Sequence, residues 1–288
     1  MVEFSDGGGT APPARRVAVL TEKRYLAHLQ PAGLVTALRR QGHDVRVLVC
    51  DGVAVDLQPD VSSEWRGVDV AVARGRRAPL PTLLDHAEVC GVPVVDPASS
   101  IRGVVDKAAM SVRLMSAEIP TPTTVIGHPR AVARTHSLRF PVICKPVTGD
   151  NCEGLLLVRT ARELAELRWP ESIAVVQSFL PTDGTDLKLY GIGDAVFAVR
   201  RPAAFPARPG AADFDVLLPV STELKELAAS CARLFGLTVY GVDCVVSRGR
   251  TVVLEVNDFP TFRGVPGADD VLASHVLGRS RREVPLCA

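Results

Sequence analysis

Residues Tyr240–Gly264 read YGVDCVVSRGRTVVLEVNDFPTFRG and carry Asp243, Glu255 and Asn257. Val239–Val246 and Thr251–Val256 are rich in β-branched and apolar residues, and Ser247-Arg248-Gly249-Arg250 between them reads as a hairpin turn. Glu255 and Asn257 share a sheet face, because side chains alternate along a strand. Asp243 joins that face if the turn holds an odd number of residues or a bulge makes up the count. A three-residue turn around Gly249 sets it directly opposite Glu255. A carboxylate between Leu254 and Val256, in a strand that reads as buried, is costly unless paired, hydrogen-bonded or metal-bound. Two carboxylates and an amide oxygen suit a hard cation that shares its remaining positions with water and nucleotide phosphates. The stretch therefore predicts a Mg2+ site, with Mn2+ as the alternative ion, and points to ATP chemistry. A surface hairpin with solvated acids is the competing reading.

Upstream, the last third opens with a β stretch, Ile173–Leu180, followed by strands at Leu187–Ile192 and Ala195–Arg200 joined by Gly193-Asp194. Lys188 stands inside an apolar strand and needs an anionic partner. A triphosphate would serve, and a salt bridge to Asp186 or Glu255 is the plainer alternative. Arg200 and Arg201 are adjacent, so alternation turns one of them away from the other. The segment Arg201–Gly210 (RPAAFPARPG) is too rich in proline and arginine for regular structure. A helix is predicted over Glu223–Phe235 with Gly236 at its end.

Lys145 closes the strand PVICK and is followed by PVTGDNCEG, where Gly149 and Gly154 let backbone N–H groups approach phosphate oxygens. Gln177, Ser178, Phe179 and Leu180 end an apolar strand and offer backbone groups and an apolar surface to a base. Ile101, Val104, Val105, Ala108, Val112 and Met115 form an apolar stripe of helical spacing that stops before Pro120, with Lys107 at its edge. Thr160 and Glu163 form a capping box for a helix ended by Pro170.

From Arg15 the pattern is strand (Val17–Leu20), helix (about Pro31–Arg40), strand (Asp44–Val49), strand (Val68–Ala73), helix (Leu80–Cys90) and a short strand (Val92–Val95). Alternation of this kind implies right-handed crossovers and a small parallel sheet. No G-x-G-x-x-G follows the first strand, so a dinucleotide reading lacks its phosphate loop. Arg74-Gly75-Arg76-Arg77 lies just past a strand end, where open α/β sheets bind ligands. Arg74 is the candidate there for a substrate carboxylate or phosphate.

The chain has 288 residues, enough for two or three compact units. Lys and Arg total 33 against 32 Asp and Glu, a net charge of +1, which argues against a dedicated DNA or other nucleic-acid surface. Seven scattered cysteines without C-x-x-C spacing read as reduced thiols of a cytoplasmic protein. No apolar run reaches membrane-spanning length, and residues 1–14 lack a signal-peptide core and read as a disordered tail. An oligomer is compatible with the apolar helix faces.

Taken in order, these pieces resemble the ATP-grasp superfamily from about Val17 to Ala273: a small α/β domain, Lys107 in VVDK, Lys145 with its glycine loop, the hinge VVQSFL, the lysine strand and the D…ExN hairpin. The resemblance implies an α/β ATP-grasp fold, with an N-terminal α/β domain at 15–97, a central subdomain at 98–176 and a C-terminal subdomain at 177–288 that carries the metal site. It implies that ATP lies between the two later subdomains. Lys107, Lys145 and Lys188 would stand near its phosphates, with Gly149, Gly154, Gln177–Leu180 and Asp186 around it. Asp243, Glu255 and Asn257 would hold two magnesium ions.

Two branches are similar. Ribosomal-protein glutamate ligases and related peptide ligases share the DK helix and the EVN motif. Their polar Arg-Ser-Asn stretch with a downstream Arg-Gly-Gly is replaced here by RPAAFPARPGAADF, so their substrate is not carried over. Inositol trisphosphate kinases resemble the last third, including Lys188. The near-balanced charge favours the ligase branch over a polyphosphate substrate. The expectation is an ATP-dependent carboxylate–amine ligase acting on a small molecule or peptide, with Lys188 and Arg200 or Arg201 as catalytic groups. Asp258, Thr261, Phe262, Arg263 and Gly264 would then face the acceptor. An inositol phosphate kinase is the alternative, and a non-catalytic ATP-binding domain the second alternative.

Overall fold

The structure is a computed structural model that describes residues 13–58, 64–149, 152–205 and 214–280. Most of the predicted N-terminal tail, part of the loop after Lys145 and half of the proline-rich segment lie outside the described residues.

The N-terminal unit follows the predicted alternation. It comprises β1 (Arg16–Thr21), α1 (Leu29–Arg40), β2 (Asp44–Val49), β3 (Val70–Arg74), α2 (Leu80–Val89) and β4 (Val94–Val95). The strands form a parallel sheet in the order β2-β1-β3-β4. All of β3 and all but the first residue of β1 are buried, as expected for strands covered on both faces.

The predicted single helix across Ile101–Met115 is two helices, α3 (Ala98–Gly103) and α4 (Lys107–Ser116). Asp106 breaks it: its Oδ1 accepts from the backbone N–H groups of Ala108 and Ala109, both at 2.8 Å, and so caps α4. The break resets the helical phase, so α4 buries Lys107, Ala108, Met110 and Leu114 and leaves Val112 and Met115 exposed.

The central unit contains β5 (Thr124–Gly127), α5 (Pro129–Val132), β6 (Val142–Lys145), β7 (Leu156–Val158), α6 (Ala161–Glu166) and β8 (Ala174–Ser178). Its antiparallel sheet runs β5-β8-β6-β7. Thr160 Oγ1 accepts from Glu163 N at 3.1 Å, the predicted cap, while Glu163 Oε2 takes Arg159 N rather than Thr160 N.

The last unit holds β9 (Thr185–Ile192), β10 (Ala195–Pro202), β11 (Val216–Leu218), α7 (Thr222–Phe235), β12 (Val239–Ser247), β13 (Arg250–Asp258) and α8 (Ala268–Gly278). Its sheet runs β11-β10-β9-β12-β13. Ser221 caps α7, and Gly236 ends it in the left-handed conformation at φ 68°. The helix turns Ala228, Cys231, Ala232 and Phe235 onto the sheet.

The β12–β13 turn corrects one expectation. Ser247 pairs with Arg250, so the loop has two residues, Arg248 and Gly249, both at positive φ (51° and 76°). Asp243 still lies opposite Glu255, because a bulge between Asp243 and Cys244 supplies the odd residue.

Helix α8, which no sequence signal marked, returns to the start of the chain. Leu272, Ala273 and Val276 share one core with Leu34 and Leu38 of α1, Val17 and Val19 of β1, and Val199 and Val239. Asp96, after β4, accepts from Thr238 N (2.6 Å), Thr238 Oγ1 (2.8 Å) and Val239 N (2.9 Å). Together the shared core and these bonds seat the N-terminal sheet against the last one.

Candidate active site

A cleft of about 630 Å³ opens between the three sheets. Lys107, the first residue of α4, enters it from a capped helix start. Its Nζ lies 2.8 Å from Glu255 Oε1 and 2.6 Å from Gly149 O. Gly149, at φ 135°, takes a backbone conformation that glycine adopts without strain. Lys145 ends β6 beside it, and burial pulls its pKa down, opposed by Glu255 and assisted by the neighbouring charge of Lys107.

Lys188 on β9 faces Asp243 directly in register, with Nζ 2.8 Å from Oδ1. Its partner is thus neither Asp186 nor Glu255. Burial pulls the Lys188 pKa down, but Asp243, with smaller contributions from Asp186 and Tyr190, offsets this and the net shift is upward. Asp186 lines the same cleft, accepts from Ala204 N at 3.0 Å, and is pushed up by burial.

Gln177, Ser178, Phe179 and Leu180 form the opposite wall. Gln177 Nε2 donates to Thr124 Oγ1 at 2.9 Å, which fixes its side chain, while Phe179 and Leu180 add partly buried apolar surface.

The two arginines divide as alternation requires. Arg201 lines the cleft and donates from Nη2 to Tyr190 Oη (2.9 Å) and Arg263 O (3.0 Å), with Asp215 Oδ1 3.3 Å from its Nε. Arg200 is exposed on the other face and is absent from the cleft lining.

Gly154 also stands off the lining; at φ 72° its Cβ position lies 2.8 Å from Pro146 Cγ, so it shapes the loop. Asp258 and Thr261 reach the cleft, but Phe262, Arg263 and Gly264 do not line it. Phe262 is buried against Tyr190 with ring centroids 5.5 Å apart, Arg263 is tied to Asp215 at 2.7 Å, and Gly264 packs close to Asp215 and Val199.

Arg74 lines the cleft as expected, its guanidinium 4.2 Å from the centroid of the Tyr25 ring. Tyr25 and Tyr190 are cleft residues that sequence reasoning did not select, and Arg76, also in the lining, was named only as part of its basic run. The basic run 74–77 was the available sign of Arg76; nothing marked Tyr25, which sits in a one-turn 3-10 helix.

Among the described residues no group of three His, Cys, Asp or Glu side chains forms a ready metal cage. The donor set is instead two carboxylates and an amide oxygen. Asp243 Oδ1 and Glu255 Oε1 each hold an ammonium at 2.8 Å, and Asn257 Nδ2 lies 3.4 Å from Asp243 Oδ2. Hard oxygen donors that already accept cations on one cleft wall fit an ion shared with phosphates. No helix among the described residues is long and apolar enough to cross a membrane.

The RimK-like ATP-grasp domain profile matches residues 105–271. A probable alpha-L-glutamate ligase of Xanthomonas euvesicatoria pv. vesicatoria (strain 85-10) is 28% identical over 273 residues, covering 88% of this chain and 92% of that protein. An inositol-tetrakisphosphate 1-kinase of Danio rerio is 26% identical over 172 residues, covering 49% of this chain and 43% of that protein. Among solved structures, a RimK domain ATP-grasp protein from Sphaerobacter thermophilus DSM 20745 is 25% identical with a TM-score of 0.70, covering 91% of this chain and 100% of that one.

Proposed function

The chain belongs to the RimK-like ATP-grasp family and is an ADP-forming, ATP-dependent carboxylate–amine ligase; from that premise we propose that it works through an acyl phosphate at a magnesium-bearing cleft. The observation that carries the reading is convergence. Three lysines, three oxygen donors and Arg201, drawn from α4, β6, β9, β10, β12 and β13, meet on one cleft.

In this reading ATP lies with its base toward Phe179 and Leu180 and its phosphates toward Lys107, Lys145 and Lys188. A substrate carboxylate oxygen attacks the γ-phosphorus, the bond to the bridging oxygen breaks, and ADP leaves. The lysines neutralise charge on the transferring oxygens, which is positioning and electrostatics rather than covalent work. Asp243, Glu255 and Asn257 would hold magnesium, which supplies further charge neutralisation at the phosphates when bound. An amine then adds to the acyl carbon, phosphate departs and the nitrogen gives up a proton. Arg201, fixed by Tyr190 and Asp215, faces the oxyanion of that tetrahedral intermediate. Arg74, stacked on Tyr25, grips an anionic group of the small-molecule or peptide substrate. Six thiols free of disulfides among the described residues support a reducing compartment such as the cytoplasm.

The kinase alternative keeps the same ATP site and replaces the carboxylate by a hydroxyl. It is favoured by the similarity to the Danio rerio kinase, which spans about half of this chain, against 88% for the glutamate ligase. Incubation with ATP, Mg2+, a panel of carboxylic acids and hydroxylamine separates the two. A ligase yields a hydroxamate with ADP and free phosphate in equal amounts. A phosphorylated alcohol without free phosphate would replace this reading by the kinase.

A further inference from the structure

Arg76 has no role in the reaction described above, yet its side chain touches a proposed metal ligand. Its Nη2 lies 3.2 Å from Asn257 Oδ1 and 2.8 Å from Asp258 Oδ1. Arg76 follows β3 in the N-terminal sheet and its partners end β13, so the contact joins two separate sheets. A guanidinium only donates and a carboxylate only accepts, so the Asn257 amide is oriented from both sides. Arg76 takes its oxygen, and Asp243 Oδ2 takes its nitrogen at 3.4 Å. The amide oxygen has two lone pairs; Arg76 engages one and the second remains for a cation.

The turn that delivers Arg76 is built around Glu22. Glu22 Oε1 accepts from the backbone N–H groups of Arg76 (2.7 Å) and Arg77 (3.0 Å), and Oε2 takes Arg24 Nε at 2.6 Å. Gly75, just before Arg76, has φ 145°, and a Cβ there would stand 2.6 Å from Glu22 Oε1. A larger residue there would be strained at this φ and would crowd the Glu22 carboxylate that holds the turn. A guanidinium beside a divalent ion would repel it, and Asp258, 2% exposed, supplies the cancelling charge at 2.8 Å.

We propose that Arg76 is a positioning residue for metal binding: the N-terminal sheet supplies the outer hydrogen bond that aims Asn257 Oδ1, and Asp258 neutralises the arginine that does so. This rests on the metal reading of Asn257 given above. Outer partners of this kind fix ligand orientation, and their loss weakens metal affinity about 10- to 100-fold. The metal site is then complete only with the N-terminal sheet docked on β13.

Mn2+ binding to the full-length protein with ADP, followed by electron paramagnetic resonance, tests the proposal without turnover. Arg76→Met combined with Asp258→Asn removes both charges of the pair, so neither partner is left unpaired. The Mn2+ Kd should rise about 10- to 100-fold in this variant, with metal-free ADP binding unchanged. Arg76→Lys keeps the charge but not the planar donor geometry and should show a smaller rise; if the double variant does not fold, this one decides. Asn257→Ala is the control. Mn2+ affinity that falls in Asn257→Ala but stays at the wild-type value in the Arg76 variants overturns the positioning role alone. Affinity unchanged in Asn257→Ala overturns the metal reading and this inference with it.

Discussion

Asp243 lies directly opposite Glu255 across the β12–β13 ladder because the ladder slips by one residue between Asp243 and Cys244. A regular ladder running back from the Arg248-Gly249 turn would pair Asp243 with Leu254 and send Glu255 and Asn257 to the other face. The bulge is what gathers three oxygen donors on the cleft. Bulges beside active sites re-aim side chains in this way. Glu255→Ala and Asn257→Ala should each lower turnover by about 100-fold or more at saturating Mg2+ and ATP, since each removes preorganised charge stabilisation. Steady-state ADP release measures this, and near-normal turnover in both variants would sink the metal assignment.

Lys188 pairs with Asp243 both in register and through a 2.8 Å contact. Burial works against its ammonium, but Asp243, with Asp186 and Tyr190, turns the net shift upward. Lys188→Met takes positive charge from the end of the cleft proposed to hold the phosphates and should cut turnover by roughly 100-fold, with Lys188→Arg recovering part of it. An unchanged kcat together with an unchanged KM for ATP in Lys188→Met would remove this lysine from the nucleotide site.

Asp96 gives the fold a pH dependence. Burial pushes its carboxyl from an ordinary value of 3.8 up to about 6, against the hydrogen bonds from Thr238 and Val239 that favour the carboxylate. The folded chain therefore keeps a proton that the unfolded chain releases near pH 4. The stabilisation is full below that point and is lost as pH rises through about 6, a change of at most about 3 kcal/mol. Asp96→Asn does not titrate, so the gap in unfolding free energy between it and the wild type should narrow or change sign across this window. Urea melts at several pH values read this directly, and a gap independent of pH contradicts it.

Gly191 on β9 pairs with Tyr240 on β12, and a Cβ at Gly191 would fall inside the Tyr240 ring. Tyr240 is 2% exposed in the core and has nowhere to go. Gly191→Ala should therefore destabilise by about 1–3 kcal/mol through overpacking. A urea midpoint equal to that of the wild type would show that the ring moves aside freely.

Local signals carried much of this structure. The parallel N-terminal sheet, α7 with Gly236 at its end, and the β12–β13 hairpin all follow from short-range periodicity and turn chemistry. Lys145, Lys188 and the hairpin oxygens were legible because a charge inside an apolar strand or at a strand end is conspicuous, and Lys107 because it edges a helical stripe. What failed was non-local or sub-residue in scale. The bulge cannot be told from a three-residue turn by counting, since both bring Asp243 to the same face. Asp106 reads as one more residue of a helical stripe until its cap bonds are seen. Arg76 and Arg74 look alike in sequence, and only the fold shows that one reaches β13 while the other stacks on Tyr25. Phe262 and Arg263 follow β13 closely, yet packing against Tyr190 and pairing with Asp215 turn them from the cleft.

Helix α8 has a consequence for how the chain is made. Leu34 and Leu38 of α1 are completely buried, and part of their cover is Leu272 and Val276, contributed by the last helix of the structure. A nascent chain emerging from the ribosome would thus expose this apolar seam until residues 268–278 appear. The unit that holds α1 is therefore finished only once α8 has been made, and transiently exposed seams of this kind invite aggregation or chaperone binding.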